Sequence, residues 1–446
     1  MAAKKALIKA TDKTQKKQAV PAAVVKERQA PKTLSGDKKR QEGRPFTGRL
    51  LVQLDAKASA AAIIRQAKTK DLRLATMQDW TEGMLSHALE QADGVIFEKL
   101  KVAVVNEAGA ARLRQLQAVR NSPFLSSEPE RYLRASQAVS KGKGKGGGWK
   151  DNTSATWGIQ AININDRSST GKGVKLAVLD TGFDFTHPDF TGRTLHRKSF
   201  VGTRQAQDKE GHGTHCAGIA GGGRKGKDGA RYGVAYGSRL YIGKILDDAG
   251  EGTDSLALAG IEWALEKGCQ VISMSFGAPI EDGQAYSGIF EHVAQIAMSN
   301  RCLLIAATGN ESDHSEGQVS PVNHPANCPS IMAVGALTQT LELADYSCAG
   351  VDAAIGQMKV AGVDAVPGQV DIAAPGDNIL SAKPGGGYRR ESGTSMATAF
   401  VAGAAVLLWE QYPQASAGDI WAKLVQQARR LNLSSTAAGS GMVYVR

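Results

Sequence analysis

Five short apolar runs, near residues 174–179, 239–246, 270–274, 302–307 and 330–335, alternate with stretches of helical periodicity near 212–221, 254–267, 285–300 and 396–412. Runs such as Leu303-Leu304-Ile305-Ala306-Ala307 leave no polar face for water, the pattern of strands buried on both sides. Parallel neighbours need a crossover, usually a helix, so the alternation predicts a doubly wound, mainly parallel α/β sheet. In such sheets ligands bind beyond the carboxyl ends of the strands. Polar residues that close the runs are therefore the first candidates for a site.

Asp180 closes the first run and opens Asp180-Thr181-Gly182. His212 stands in Gly211-His212-Gly213-Thr214-His215, and Ser395 in Gly393-Thr394-Ser395-Met396-Ala397-Thr398, each at the start of a predicted helix. A serine hydroxyl is a poor nucleophile unless a base lies within hydrogen-bond reach and a third group orients that base. The roles that follow are Ser395 as nucleophile, His212 as base and then acid, and Asp180 as the group that fixes the imidazole. Asn310, displayed after the run 303–307, is a donor of the type that stabilises an oxyanion. His215 is expected to pack or hydrogen-bond inside its helix, and His187, His314 and His324 have no catalytic context.

At these residues the chain resembles the subtilisin-like serine peptidases. The likeness takes in Asp180-Thr181-Gly182-Phe183-Asp184 with His187-Pro188-Asp189, and Gly211-His212-Gly213-Thr214-His215-Cys216-Ala217-Gly218. It continues through Ser273-Met274-Ser275-Phe276-Gly277, Ala307-Thr308-Gly309-Asn310, Ala374-Pro375-Gly376 and the Ser395 motif, covering about Trp157 to Arg446. It implies a triad of Asp180, His212 and Ser395, with Asn310 in the oxyanion hole. It further implies that Ser275, Phe276 and Gly277 pair with an extended peptide or protein substrate, opposite a rim at Gly250 and Gly252.

Glu251 and Asp254 on that rim, and Glu311 near the first specificity pocket, favour basic side chains in the substrate by charge complementarity; a solvated acidic rim is the competing reading. Asp189 matches a family position that ligates calcium, but Gly221–Gly229 is basic, and Lys and Arg side chains offer no oxygen. No cofactor is therefore required, and calcium at Asp189 is the less favoured reading. Cys216 is expected to be a small buried hydrophobe with some mercurial sensitivity, and no Cys/His spacing suggests zinc. Where the family usually has proline followed by histidine, this chain has Ala399-Phe400. That relaxes the helix behind the nucleophile and leaves a transpeptidase or ligase as an alternative to a hydrolase; an inactive binding protein with a basic tail is a third reading.

The remaining chain divides into a basic disordered leader (1–45), an α+β domain (46–137), a Gly/Lys-rich linker (138–150) and the peptidase domain (151–446). The leader carries +9 of the total +11, which makes solvated disorder the default and nucleic acid the disfavoured partner. Strands are predicted at 48–54, 94–105 and near 127–135, with helices at 58–68 and 108–118. A small ferredoxin-like domain in this position looks like the family's inhibitory propeptide, to be cut within 136–148 by the chain itself. Residues 348–369 read as a surface-loop insertion. No run is long enough to span a bilayer, and no apolar segment follows the basic N-terminus. With five cysteines, too few and odd in number for a disulfide framework, the expectation is a cytoplasmic product or export without a standard signal peptide.

Overall fold

The computed structural model describes residues 45–446 other than 78–84, 137–147, 165–167, 203–204, 225, 227–228, 282–283, 351–357, 361–362 and 366–367. The expected leader and most of the expected linker lie outside the described residues. The first described elements are β1 (Phe46–Leu54), α1 (Ala60–Lys68), β2 (Leu74–Thr76), α2 (Leu85–Gln91), β3 (Gly94–Phe97), β4 (Val102–Val105), α3 (Ala110–Gln117) and β5 (Phe124–Ala135). β1 lies between β4 and β5, antiparallel to both, and β3 pairs antiparallel with β4. The order is β5-β1-β4-β3-β2, with β2 added parallel to β3; its first four strands, with crossovers that carry α1 and α3, make the split βαβ arrangement of a ferredoxin-like domain. α1 starts at Ser59, whose hydroxyl accepts from the Ala62 amide, and it buries Ile63 and Ala67 in a core with Val52, Ile96 and Leu113.

The stretch predicted as one strand over 94–105 is a hairpin instead. Its turn, Glu98-Lys99-Leu100-Lys101, holds no Gly, Pro or Asn; Lys101 itself adopts the left-handed conformation (φ 53°), so composition leaves no mark of the reversal.

Next come α4 (Trp157–Ala161), β6 (Lys175–Asp180), β7 (Leu195–Ser199), α5 (His212–Gly221), β8 (Arg239–Lys244), β9 (Glu251–Thr253), α6 (Asp254–Glu266), β10 (Val271–Met274), β11 (Phe276–Gly277), α7 (Gly288–Ser299), β12 (Leu303–Ala307) and β13 (Met332–Leu337). β14 (Met358–Val360), β15 (Val363–Ala365), β16 (Ile372–Pro375), β17 (Ile379–Ala382), β18 (Tyr388–Glu391) and α8 (Thr394–Gln411) complete the set needed here. The main sheet has the order β16-β13-β12-β10-β6-β8-β7, with every pairing parallel. This is the doubly wound sheet expected. β7 and β16 escape the apolar pattern because one is a polar edge strand (Leu195-His196-Arg197-Lys198-Ser199) and the other is short.

α8 is buried from Thr394 to Trp409, as a helix apolar on every side must be, and it packs on α5 and the sheet. It runs unbroken through Ala399. Within 348–369 the described residues include the antiparallel β14–β15 hairpin, and Cys348 and Ala349 are buried. Among the described residues no helix is long and apolar enough to cross a membrane.

Candidate active site

β10 lies between β6 and β12, and all three strands end at one edge of the sheet, leading into Ser275, Asp180 and Thr308–Asn310. Asp180 is wholly buried; its Oδ1 accepts from the Thr181 amide at 2.7 Å and from His212 Nδ1 at 2.8 Å. His212 is the first residue of α5, and its position is set by a residue the sequence reading missed. The buried Asp208 carboxylate accepts from the Thr181 hydroxyl (3.0 Å), the Gly211 amide (2.7 Å), and the amide and hydroxyl of Thr214 (2.8 and 2.7 Å). It thus satisfies open N–H groups at the positive end of the helix. The Thr181 hydroxyl accepts in turn from the Gly213 amide at 2.8 Å, so strand end and helix start are one hydrogen-bonded unit. A lone Asp four residues before a motif histidine carries no such message in sequence.

Burial is the largest single influence on the fully buried His212 and disfavours a charged imidazole, yet the charge and hydrogen bond of Asp180, with Cys216 alongside, together outweigh it and hold the His212 pKa well above its ordinary value. Cys216 Sγ lies 3.9 and 3.8 Å from the two ring nitrogens. Burial pushes this thiol up to about 11, so it is neutral near pH 7. Donor atoms of Asp180, His212 and Cys216 fall within 4.8 Å of one another, but the carboxylate and the imidazole already bond to each other. Burial, with the Arg389 guanidinium nearby, lowers His215 to about 3; its Nε2 lies 3.1 Å from the Ile379 carbonyl, the packing role expected.

Ser395 is the second residue of α8. Its hydroxyl lies 2.7 Å from the carbonyl oxygen of Ser136 and 3.1 Å from that of Ser275, and it hydrogen-bonds to these oxygens. Transfer of its proton to His212 therefore requires the hydroxyl to turn away from both carbonyls. Asn310 is held by its own oxygen, which accepts from the amide (2.9 Å) and hydroxyl (3.0 Å) of Thr394, the neighbour of Ser395. Its Nδ2 is buried with no hydrogen-bond partner. An unspent buried donor costs about 1–3 kcal/mol, so it belongs where a charge will later need it.

The chain's own strand β5 fills the cleft. Ala135 and Arg134 pair antiparallel with Phe276 and Gly277 of β11, while Tyr132, Leu133 and Arg134 pair antiparallel with Thr253, Gly252 and Glu251 of β9. The Ala135 amide donates to the Gly250 carbonyl at 3.0 Å and the Ser136 amide to that of Ser275 at 3.2 Å. The residues expected to form the substrate edges, Gly250, Gly252, Ser275, Phe276 and Gly277, thus surround a peptide held as an added strand. Leu133 is wholly buried beneath them.

The acidic residues divide. Glu251 faces Arg134 at 3.6 Å in the open, whereas buried Asp254 accepts from the Arg131 amide (2.8 Å) and His324 Nε2 (2.9 Å), with the Arg131 guanidinium at 4.0 Å. One oxygen of the exposed Glu311 takes hydrogen bonds from the Asn310 amide (2.8 Å), Asn323 Nδ2 (2.9 Å) and Cys348 Sγ (3.2 Å). Asp189 accepts from the hydroxyls of Tyr232 (2.6 Å) and Tyr388 (2.8 Å) on one oxygen, and burial together with this carboxylate holds the Tyr232 phenol above its usual pKa. Calcium wants six to eight oxygens without competing protons, so these residues do not fit a calcium site at Asp189.

The profile of the subtilase family matches residues 171–441. Subtilisin of Bacillus pumilus is 37% identical over 290 residues, 65% of this chain and 95% of that protein. The alkaline protease of Shouchella clausii is 34% identical over 402 residues, 88% of this chain and 95% of the protease. Among solved structures, sphericase superposes with a TM-score of 0.56 at 31% identity, covering 65% of this chain and 98% of its own. These relatives overturn the cytoplasmic expectation, because subtilisins of this kind are secreted, extracellular enzymes. A basic N-terminus without an apolar segment was too little to assign a compartment.

Proposed function

The chain belongs to the subtilase family, a family of serine endopeptidases, and we propose that it is made as a zymogen that cuts its own Ser136–Gln137 bond. The observation that carries the proposal is the seat of Ser136, whose carbonyl oxygen lies 2.7 Å from Ser395 Oγ at the end of a strand paired on both edges. Ser395 attacks the carbonyl carbon while His212 takes its proton, and Asp180 holds the imidazolium that forms. The Asn310 amide then donates to the oxyanion. His212 returns the proton to the leaving nitrogen, and water resolves the acyl-enzyme by the same steps in reverse.

Residues 46–136 would then be the propeptide and first inhibitor. Two of its carboxylates reach the starts of helices beyond the cut: Glu130 accepts from the Ser255 amide of α6 at 3.0 Å, and Glu128 bonds the Ser287 hydroxyl before α7. The match to the alkaline protease, at 88% of this chain, extends into this domain and not only over the peptidase part. Basic side chains in a substrate find their acids at the positions of Arg134 and Arg131, not beside the cut bond.

A general base must be neutral, so the acid limb of the pH profile of kcat/KM is expected above 6.5, the ordinary imidazole value, with activity lost as pH falls through the raised His212 pKa. A limb at or below that value would contradict the Asp180–His212 arrangement. The peptidase reading itself is tested with a fluorophosphonate. Hydrolysis of a denatured protein should stop, and the label should be recovered on the peptide containing Ser395. Label on another serine, or unchanged hydrolysis, would sink it.

A further inference from the structure

We infer that this peptidase cuts after small residues, because the slot beside the scissile bond is filled by Asn323. The inference rests on the peptidase reading above and names its substrate class. Two backbone segments form the walls next to Ser395. One is Ser275–Gly277, whose first carbonyl takes the Ser136 amide; the other is Thr308–Asn310, tied to α8 through Thr394. A residue pinned by its amide to Ser275 and by its carbonyl to Ser395 has the space between these walls for its side chain.

Asn323 stands in that space. A Cβ placed on Gly277 would lie 3.4 Å from Asn323 Cβ, and one on Gly309 would lie 2.4 Å from its Nδ2. Both walls are bare backbone where they meet Asn323, and Gly309 also has a left-handed φ of 109°. Nor is the asparagine free to swing aside. It is 3% exposed, its own amide donates to the Thr308 carbonyl at 2.8 Å, and its Nδ2 is fixed to Glu311. The next residue, His324, exchanges backbone hydrogen bonds with Ala278 at 2.8 and 3.0 Å, closing the plug onto the wall. Glu311 braces this plug through one oxygen, which takes three donors, Asn323 Nδ2 among them. The residues that occupy the cleft agree, since Ser136 and Ala135 are both small.

The test is a series of chromogenic peptides Leu-Arg-Ala-Xaa, with Xaa alanine, serine, leucine, phenylalanine or lysine, given to the full chain as purified and to Asn323→Gly. For wild type, kcat/KM with alanine or serine should exceed that with phenylalanine or lysine by on the order of 10–100-fold, the usual reach of steric exclusion in a pocket. Asn323→Gly should narrow the gap by about tenfold. Wild type that cleaves after phenylalanine or lysine as fast as after alanine overturns the inference, and this ranking decides it even if the variant does not fold. A ranking unchanged in a folded Asn323→Gly protein also overturns it, by taking selection away from Asn323. If no peptide is cleaved and no fluorophosphonate is taken up, the peptidase reading falls, and the inference with it.

Discussion

Ser395→Ala is expected to lower kcat for peptide hydrolysis by on the order of 10⁶, the loss known for the nucleophile of subtilisin itself. The size follows from what is removed. Without Oγ no acyl-enzyme forms, and His212 has no proton to take, so the whole relay from Asp180 is idle. What remains is transition-state stabilisation by Asn310 and strand pairing, which acts on direct attack by water. Because Ser395 and His212 act as one unit, His212→Ala alone should cost about as much, and the double variant little more. The fold should hardly notice. The Ser275 carbonyl keeps the Ser136 amide as a donor, and losing one neutral hydrogen bond costs about 1 kcal/mol. Steady-state kinetics with circular dichroism as a control decides it; a folded variant that retains more than about a hundredth of the activity would contradict the assignment.

Asn310→Asp is expected to lower kcat by at least 10²–10³, with KM little changed, a range that includes the oxyanion-hole asparagine of subtilisin. Two functions of this side chain must be separated. Its oxygen anchors the amide and hydroxyl of Thr394, and its nitrogen is the unspent donor. Aspartate keeps the acceptor and removes the donor, so Thr394 and the start of α8 stay in place while the oxyanion loses its partner. Asn310→Leu removes both, at a further cost of about 1 kcal/mol in stability. If the aspartate variant were as active as wild type and only the leucine variant slow, Asn310 would be a structural residue that positions α8.

Asp180, His212, Ser395 and Asn310 stood out as candidates in sequence for a physical reason. Each ends a buried strand or starts a helix, and those boundaries are marked by sharp changes from apolar to small and polar residues. The substrate edges at Gly250–Gly252 and Ser275–Gly277 were legible only through resemblance to the family, since nothing in their composition says that they pair with a fifth strand from another domain. What sequence left unread were contacts between distant residues. The hydroxyls on Asp189 come from Tyr232 and Tyr388, 43 and 199 positions away. The donors to Glu311, Asn323 and Cys348, lie 12 and 37 residues on. The β3–β4 hairpin was hidden by a lysine in a conformation usually left to glycine or asparagine. On the acidic rim, Asp254 serves a buried network and Glu251 an exposed pair that is worth at most about 1 kcal/mol.

The most direct test of a self-cutting serine peptidase is the intact mass and N-terminal residue of wild type and Ser395→Ala, expressed and stored identically. Wild type is expected to lose everything through Ser136 and begin at Gln137, while Ser395→Ala keeps its full length. Wild type that stays uncut, or that is cut at the same bond in both proteins, would contradict the account.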